Sequence, residues 1–256
     1  MDPEELKSNA PAPVNFGLEK VAPAEKTQRV SDVFVKVANR YDLMNDLMSL
    51  GTHRIFKRIV LQMTGLRNGS RVLDLAGGTG DMSRLFAPVV GTDGAVVLAD
   101  YNEPMMQVGR NRLHDEGLTQ VQFCRTQAER LPFDADTFDC TCISFGLRNF
   151  TDKEAALLEL LRVLKPGAAL VVLEFSHPKN PVLQSAYNAF QTLWPTAGKL
   201  VVGDAQPYEY LVESIKVHPD QKALRQMFED AGFIDVAYFD LLGGTAAIHR
   251  GVKPYE

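Results

Sequence analysis

The chain has 256 residues, with 27 lysines and arginines against 32 aspartates and glutamates and a formal net charge of −5. That balance excludes a general nucleic-acid binder, whose phosphate contacts need a basic face. An apolar content of 45% and this length suit one soluble α/β domain with a sizeable core. No run is long and apolar enough to span a bilayer, and the N-terminus lacks a signal-peptide apolar region, so a cytoplasmic protein is expected. Cys124, Cys140 and Cys142 lie in apolar runs without metal-ligand spacing. They read as reduced, buried thiols, with no metal site expected.

Residues 1–25 carry Pro3, Pro11, Pro13 and Pro23 among small and charged residues and read as a disordered tail, leaving 26–256 as a single domain. From 27 to 39, Val30, Val33, Phe34 and Val37 recur at helical spacing. Residues 40–54 contain Asp42, Asn45, Asp46, Ser49 and Gly51, which favour turns and caps. A second amphipathic helix follows, with Ile55, Ile59, Val60 and Met63 expected inward and Lys57 and Arg58 outward. Residues 26–66 together read as an N-terminal helical cap.

Beyond the cap, apolar runs at 71–75, 95–100, 120–126, 140–145 and 169–175 read as strands. Helices are expected between them, one at 152–164 ending at the turn Lys165-Pro166-Gly167. Residues 181–199 and 205–216 read as helical segments interrupted by Pro195 and Pro207, and another helix spans 219–230. Two last strands, 234–241 and 245–252, are split by Gly243-Gly244. Alternating units of this kind imply an α/β fold: a doubly wound, mostly parallel seven-stranded sheet with an antiparallel last strand.

The sheet's first strand runs into Arg71-Val-Leu-Asp-Leu-Ala-Gly-Gly-Thr-Gly-Asp81. A strand, a glycine-rich turn and a helix in that order let a ligand approach the backbone closely. Asp100 ends the next strand, where ribose hydroxyls are held in nucleoside-cofactor sites. Ser83 stands where a dinucleotide fingerprint needs glycine or alanine, and no P-loop pattern occurs. The pattern around Asp74, Ala76, Gly78 and Gly80 resembles the first motif of class I S-adenosylmethionine-dependent methyltransferases, with Ala76 at the usual first glycine.

A longer resemblance is more specific. Tyr41-Asp-Leu-Met-Asn-Asp-Leu-Met-Ser-Leu-Gly-Thr-His-Arg54 is similar to the first signature of the ubiquinone/menaquinone biosynthesis C-methyltransferases, the UbiE family. Arg162-Val-Leu-Lys-Pro-Gly-Ala-Ala-Leu-Val-Val-Leu-Glu-Phe-Ser176 resembles the second, and Ile143-Ser-Phe-Gly-Leu-Arg-Asn149 also matches. Phe56 replaces a tryptophan of the first signature and Ala168 a glycine of the second. The likeness runs from about Phe16 to Gly251. It implies a Rossmann-like class I methyltransferase that uses S-adenosyl-L-methionine and releases S-adenosyl-L-homocysteine. The substrate implied is a polyprenyl benzoquinol (2-methoxy-6-polyprenyl-1,4-benzoquinol), demethylmenaquinol or both, methylated at carbon. The cofactor contacts implied are Thr79, Asp100, Gln127, Ala128 and Ser144, beside the loop residues Asp74, Gly78 and Gly80.

Methyl transfer to carbon needs an electron-rich ring held in line with the methyl, water kept out, and a group that steadies phenolate charge. Arg148 and Asn149 follow the fourth strand and are expected on the substrate side. Arg148 would support phenolate charge or orient a water, since guanidinium is a poor base. Tyr41 and Asp42 on the cap would close over the ring, and His53 is the titratable base candidate. Glu174 and His177 rank lower, and His249, within the last strand, reads as structural. The apolar set Val182, Leu183, Tyr187, Phe190, Leu193 and Trp194 reads first as core packing and second as a wall for a polyprenyl tail or a membrane contact. Peripheral contact with the inner membrane face, a quinone-biosynthesis complex and a homodimer stay open, as do another small-molecule O- or N-methyltransferase and a cofactor-binding scaffold. A nicotinamide oxidoreductase is the remotest alternative.

Overall fold

In the computed structural model, which describes residues 12–255, seven of the apolar runs pair into one sheet. These are β3 (Arg71–Leu75), β4 (Ala95–Asp100), β5 (Val121–Arg125), β6 (Phe138–Ser144), β7 (Leu164–Phe175), β8 (Ile234–Leu241) and β9 (Ala246–Val252). Their order is β5-β4-β3-β6-β7-β9-β8, parallel except for β9, which pairs antiparallel with both β7 and β8. The short glycine turn therefore sends the last strand back into the sheet. It lies beside β7, with β8 outside it.

The pleat sends alternate side chains to opposite faces. Leu73, Leu75, Ile143, Leu170 and Val172 face α6 (Lys153–Val163) and α10 (Gln221–Asp230), burying Leu157, Leu160, Leu224 and Phe228. Val72, Val96, Leu98, Cys140, Cys142 and Val171 face the other way, onto α3 (Thr52–Met63) and α4 (Asp81–Val90) through Phe56, Val60, Phe86 and Val90. Cys140 and Cys142 are buried free thiols, as expected, and Cys124 is half-buried.

The N-terminal part differs from expectation. Residues 1–11 lie outside the described residues, but 12–25 are not all tail: β1 (Val14–Phe16) pairs with β2 (Glu19–Val21), and α1 (Pro23–Val37) follows. Pro23 occupies the first turn of α1, where its missing N–H forfeits no helical bond. Where turns were expected, α2 (Tyr41–Ser49) forms, because Met44 and Met48 sit four apart and bury in one cluster. That cluster joins α1 and α2 to α8 (Trp194–Val202) and α9 (Gln206–Val217) through Val37, Trp194, Tyr208, Leu211 and Ile215.

On α3 the expected facing is reversed at two positions. Ile55 is 59% exposed, whereas Lys57 is buried, its ammonium 2.6 Å from the Asp81 carboxylate. Lys165-Pro166-Gly167 does not precede β7 but lies inside it, in the irregular stretch between the Phe138–Leu164 and Cys140–Ala169 pairs. Pro195 and Pro207 sit in the first turns of α8 and α9 and so begin helices. The helices α5 (Glu103–Asp115) and α7 (Pro181–Gln191) complete the described set. None of the described helices is long and apolar enough to cross a membrane.

Candidate active site

At the carboxyl ends of β3 to β6 the chain leaves a cleft of about 810 Å³, its open mouth included. Open parallel sheets bind ligands at this edge because loops and helix N-termini converge there. Ala76 and Gly78 form one wall, Asp100 to Asn102 and Gln127 to Glu129 the next, and Phe145, Gly146 and Asn149 the third. Helix α1 covers them with Val30, Ser31 and Phe34, and Tyr41 of α2 closes a corner.

The glycine loop is held from below. Asp74, almost fully buried, accepts from the Ser83 amide (2.9 Å) and hydroxyl (2.6 Å) through one oxygen. Burial outweighs these bonds and pushes its pKa up to about 7. Gly78 takes φ +52, where a side chain is strained, and Ala76 takes φ +56 despite carrying one. The neighbouring residue that lets Ala76 fit is Gly146: a Cβ there would lie 2.6 Å from the Ala76 methyl. Thr79 is buried, and Gly80 precedes α4 in a left-handed conformation. Beneath the loop, Asp81 is paired with Lys57 and Arg112, and the two cations hold its pKa well below the usual range despite burial.

Asp100 forms the floor. One carboxylate oxygen accepts from the Gly78 amide at 2.9 Å and the other from the Asn102 amide at 2.8 Å. Burial raises its pKa, and these hydrogen bonds oppose the rise. The carboxylate keeps acceptor capacity toward the cleft, as binding a diol requires. Ser144, at the end of β6, does not itself line the cleft, and its buried hydroxyl has no hydrogen-bond partner among the described residues. A two-point acceptor, a close-approach loop and an unpaired hydroxyl at adjacent strand ends fit a nucleoside cofactor. Gln127 and Ala128 stand at the far wall.

The lid is tied down by polar contacts. The Lys26 ammonium donates to the Phe150 carbonyl at 2.6 Å, Thr27 and Thr151 hydroxyls meet at 3.0 Å, and the Asn102 amide donates to the Ser31 carbonyl and hydroxyl. Burial lowers the Lys26 pKa to about 8.

The expected catalytic set divides. Tyr41 and Asn149 line the cleft. Arg148 does not. It is buried and borders a small apolar cavity between α1, α2 and α9 with Phe34, Met44 and Tyr210. Its guanidinium donates to Glu174 at 2.9 Å and to the Phe145 carbonyl, and lies over the Phe175 ring. His53 is also absent from the cleft wall. Its Nδ1 is 2.8 Å from the Ser49 hydroxyl, its Nε2 3.7 Å from Asp46, and burial lowers its pKa. Asp42 belongs to α2. His177 and His249 meet the carbonyls of His218 and Gln221, outside the cleft. Residues that the sequence reading passed over are Asn102, Glu129, Phe145 and the buried Lys57–Asp81 pair. Lys57 had a signal, since it lies three residues before Val60 on the apolar stripe.

Residues 23–253 match the model of the ubiE/COQ5 methyltransferase family. Over 255 residues the chain is 51% identical to the ubiquinone/menaquinone biosynthesis C-methyltransferase UbiE of Ectopseudomonas mendocina, covering 99% of each chain. Over 249 residues it is 50% identical to that of Pseudomonas paraeruginosa, covering 96% of this chain and 97% of the relative. Among solved structures, a SAM dependent methyltransferase from Aquifex aeolicus superposes with a TM-score of 0.60 at 19% identity, covering 83% of this chain and 97% of that one. Haemonchus contortus phosphoethanolamine N-methyltransferase 2, in complex with S-adenosyl-L-methionine, gives 0.56 at 16%, covering 77% and 52%. These neighbours share the class I methyltransferase fold, and the sequence relatives go further: the chain belongs to the ubiE/COQ5 methyltransferase family.

Proposed function

We propose that the protein methylates a ring carbon of a polyprenyl benzoquinol, of demethylmenaquinol or of both. The observation that carries this reading is end-to-end identity of about one half with relatives named for ubiquinone and menaquinone biosynthesis. The cleft supports it. S-adenosylmethionine supplies an electrophilic methyl on a sulfonium sulfur when bound. Asp100 would accept from both ribose hydroxyls, Gln127 and Ala128 would border the adenine, and the Ser144 hydroxyl would gain a partner. Gly78 would let the methionine part pass close to the backbone.

The ring would lie between Tyr41, Phe145 and Asn149, under α1, which keeps water from the reacting carbon. A quinol hydroxyl loses its proton to water, and the ring carbon becomes nucleophilic. Attack on the methyl would form the carbon–carbon bond as the carbon–sulfur bond breaks, and the ring carbon's hydrogen would leave as a proton to water, restoring the ring. The Asn149 amide would donate to the ring oxygen as its charge grows. With its charge matched by Glu174, Arg148 acts at one remove: the pair holds the single turn Leu147–Asn149 that carries Asn149. Val182 on α7 and Leu193 just after it are exposed and offer the apolar surface a polyprenyl tail or a membrane would meet.

The test is label transfer from methyl-labelled S-adenosylmethionine to each reduced quinol. Label in the quinol fraction is the expected result. Stabilisation by S-adenosylhomocysteine without transfer to either quinol would defeat the enzyme reading and leave a cofactor-binding scaffold.

A further inference from the structure

Asn149 reaches the cleft at the end of a single helical turn, with its own amide bonded to the Gly146 carbonyl at 3.0 Å. Its side-chain oxygen accepts a hydrogen bond, 3.1 Å long, from the hydroxyl of Tyr210 on α9. A planar amide whose oxygen is engaged on one side turns its N–H₂ to the other. That N–H₂ has no hydrogen-bond partner among the described residues. The Tyr210 ring is itself fixed. It is buried, and Phe16 of the N-terminal hairpin stacks on it with ring centroids 4.6 Å apart and planes 20° apart.

We propose that Tyr210 is a positioning residue: its hydroxyl holds the Asn149 oxygen so that the amide N–H₂ faces the ring oxygen of the substrate. The inference rests on the quinol reading above. Burial raises the phenol pKa, with the Arg148 charge opposing the rise, so the hydroxyl stays a donor at working pH. A freely rotating asparagine would also present its carbonyl, the wrong end of its dipole, to the growing negative charge. Fixing it removes that orientation before the reaction begins.

Single-turnover methyl transfer at saturating cofactor and quinol tests this in four proteins: the wild type, Tyr210→Phe, Asn149→Ala and the double variant. Tyr210→Phe keeps the ring on Phe16 and is expected to slow transfer roughly tenfold, the scale of one neutral hydrogen bond. Affinity for S-adenosylhomocysteine and the melting temperature should stay near wild type. The double variant should be no slower than Asn149→Ala, because the hydroxyl then has nothing to orient. Asn149→Asp keeps an acceptor for Tyr210 but loses the donor, and should be as slow as Asn149→Ala. Independent, multiplying effects of the two single changes, or a normal rate in Tyr210→Phe, would overturn the proposal. An inactive wild type would instead overturn the quinol reading on which it rests.

Discussion

Asp74 and Asp100 end adjacent strands, yet the fold uses them in opposite ways. Asp74 is sealed under the loop with Ser83 as its hydrogen-bond partner, while Asp100 is half-buried at the cleft floor. The folded pKa of Asp74, about 7, lies above its ordinary 3.8. Between those values the folded state holds a proton that the unfolded chain has lost. Asp74 therefore favours folding below pH 4, and that contribution is lost as pH rises toward 7. The difference in melting temperature between the ligand-free wild type and Asp74→Asn should change across that window, to the wild type's disadvantage at the upper end. Parallel curves for the two proteins would remove the proton from Asp74. At Asp100 the expected effect is on binding: Asp100→Ala should cost about 1–3 kcal/mol of S-adenosylhomocysteine affinity, through lost charge-assisted bonds. It also strands the Gly78 amide, so the loop should loosen. Unchanged affinity by calorimetry would end the ribose assignment.

At the scale of elements, the seven strands and the helices between them were legible because burial on both faces writes continuous apolar runs. The cap was harder. The Asp and Asn residues of α2 pointed to turns, and only packing with Trp194 and Tyr208, far along the chain, makes the segment helical. Lys57 turned inward because Asp81, 24 residues later, neutralises it; its place on the apolar stripe hinted at the facing, but no local pattern names the partner. Arg148 is a similar case, since position after β6 placed it near the cleft but could not reveal Glu174. Breaking that pair should therefore act first on stability. Arg148→Ala leaves Glu174, 1% exposed, without its cation, a loss of about 3–5 kcal/mol. In a chain of this size that lowers the melting temperature by roughly 10 °C. The double change Arg148→Met with Glu174→Leu removes the buried charge but strands the Arg148 and Phe175 amides that also donate to Glu174, so it should recover only part of the loss. An unchanged melt with a single-turnover rate roughly 100-fold lower would instead place the guanidinium against the phenolate.

For the whole molecule, one consequence of the architecture is that the site is roofed by α1, the first of the described helices. Both halves of α1 are attached, but differently. Val33 and Val37 are buried, Val37 within the cluster around Trp194, whereas the first turns are held by Lys26, Thr27 and the Asn102–Ser31 contacts over the cleft. Apolar burial of this kind resists local opening more than a few part-buried hydrogen bonds at the rim of a cleft do. The N-terminal half should thus lift to admit ligands while the C-terminal half stays in place. Hydrogen exchange read by mass spectrometry should find residues 24–31 opening faster than 33–37 in the ligand-free protein. S-adenosylhomocysteine at about 100 times its Kd adds about 2.7 kcal/mol to the stability of states that bind it. Exchange at 24–31 should slow by up to that amount if lifting the lid abolishes binding. Equal protection of the two halves before ligand is added, or no slowing after it, would mean that ligands enter by another face and that α1 is a fixed wall.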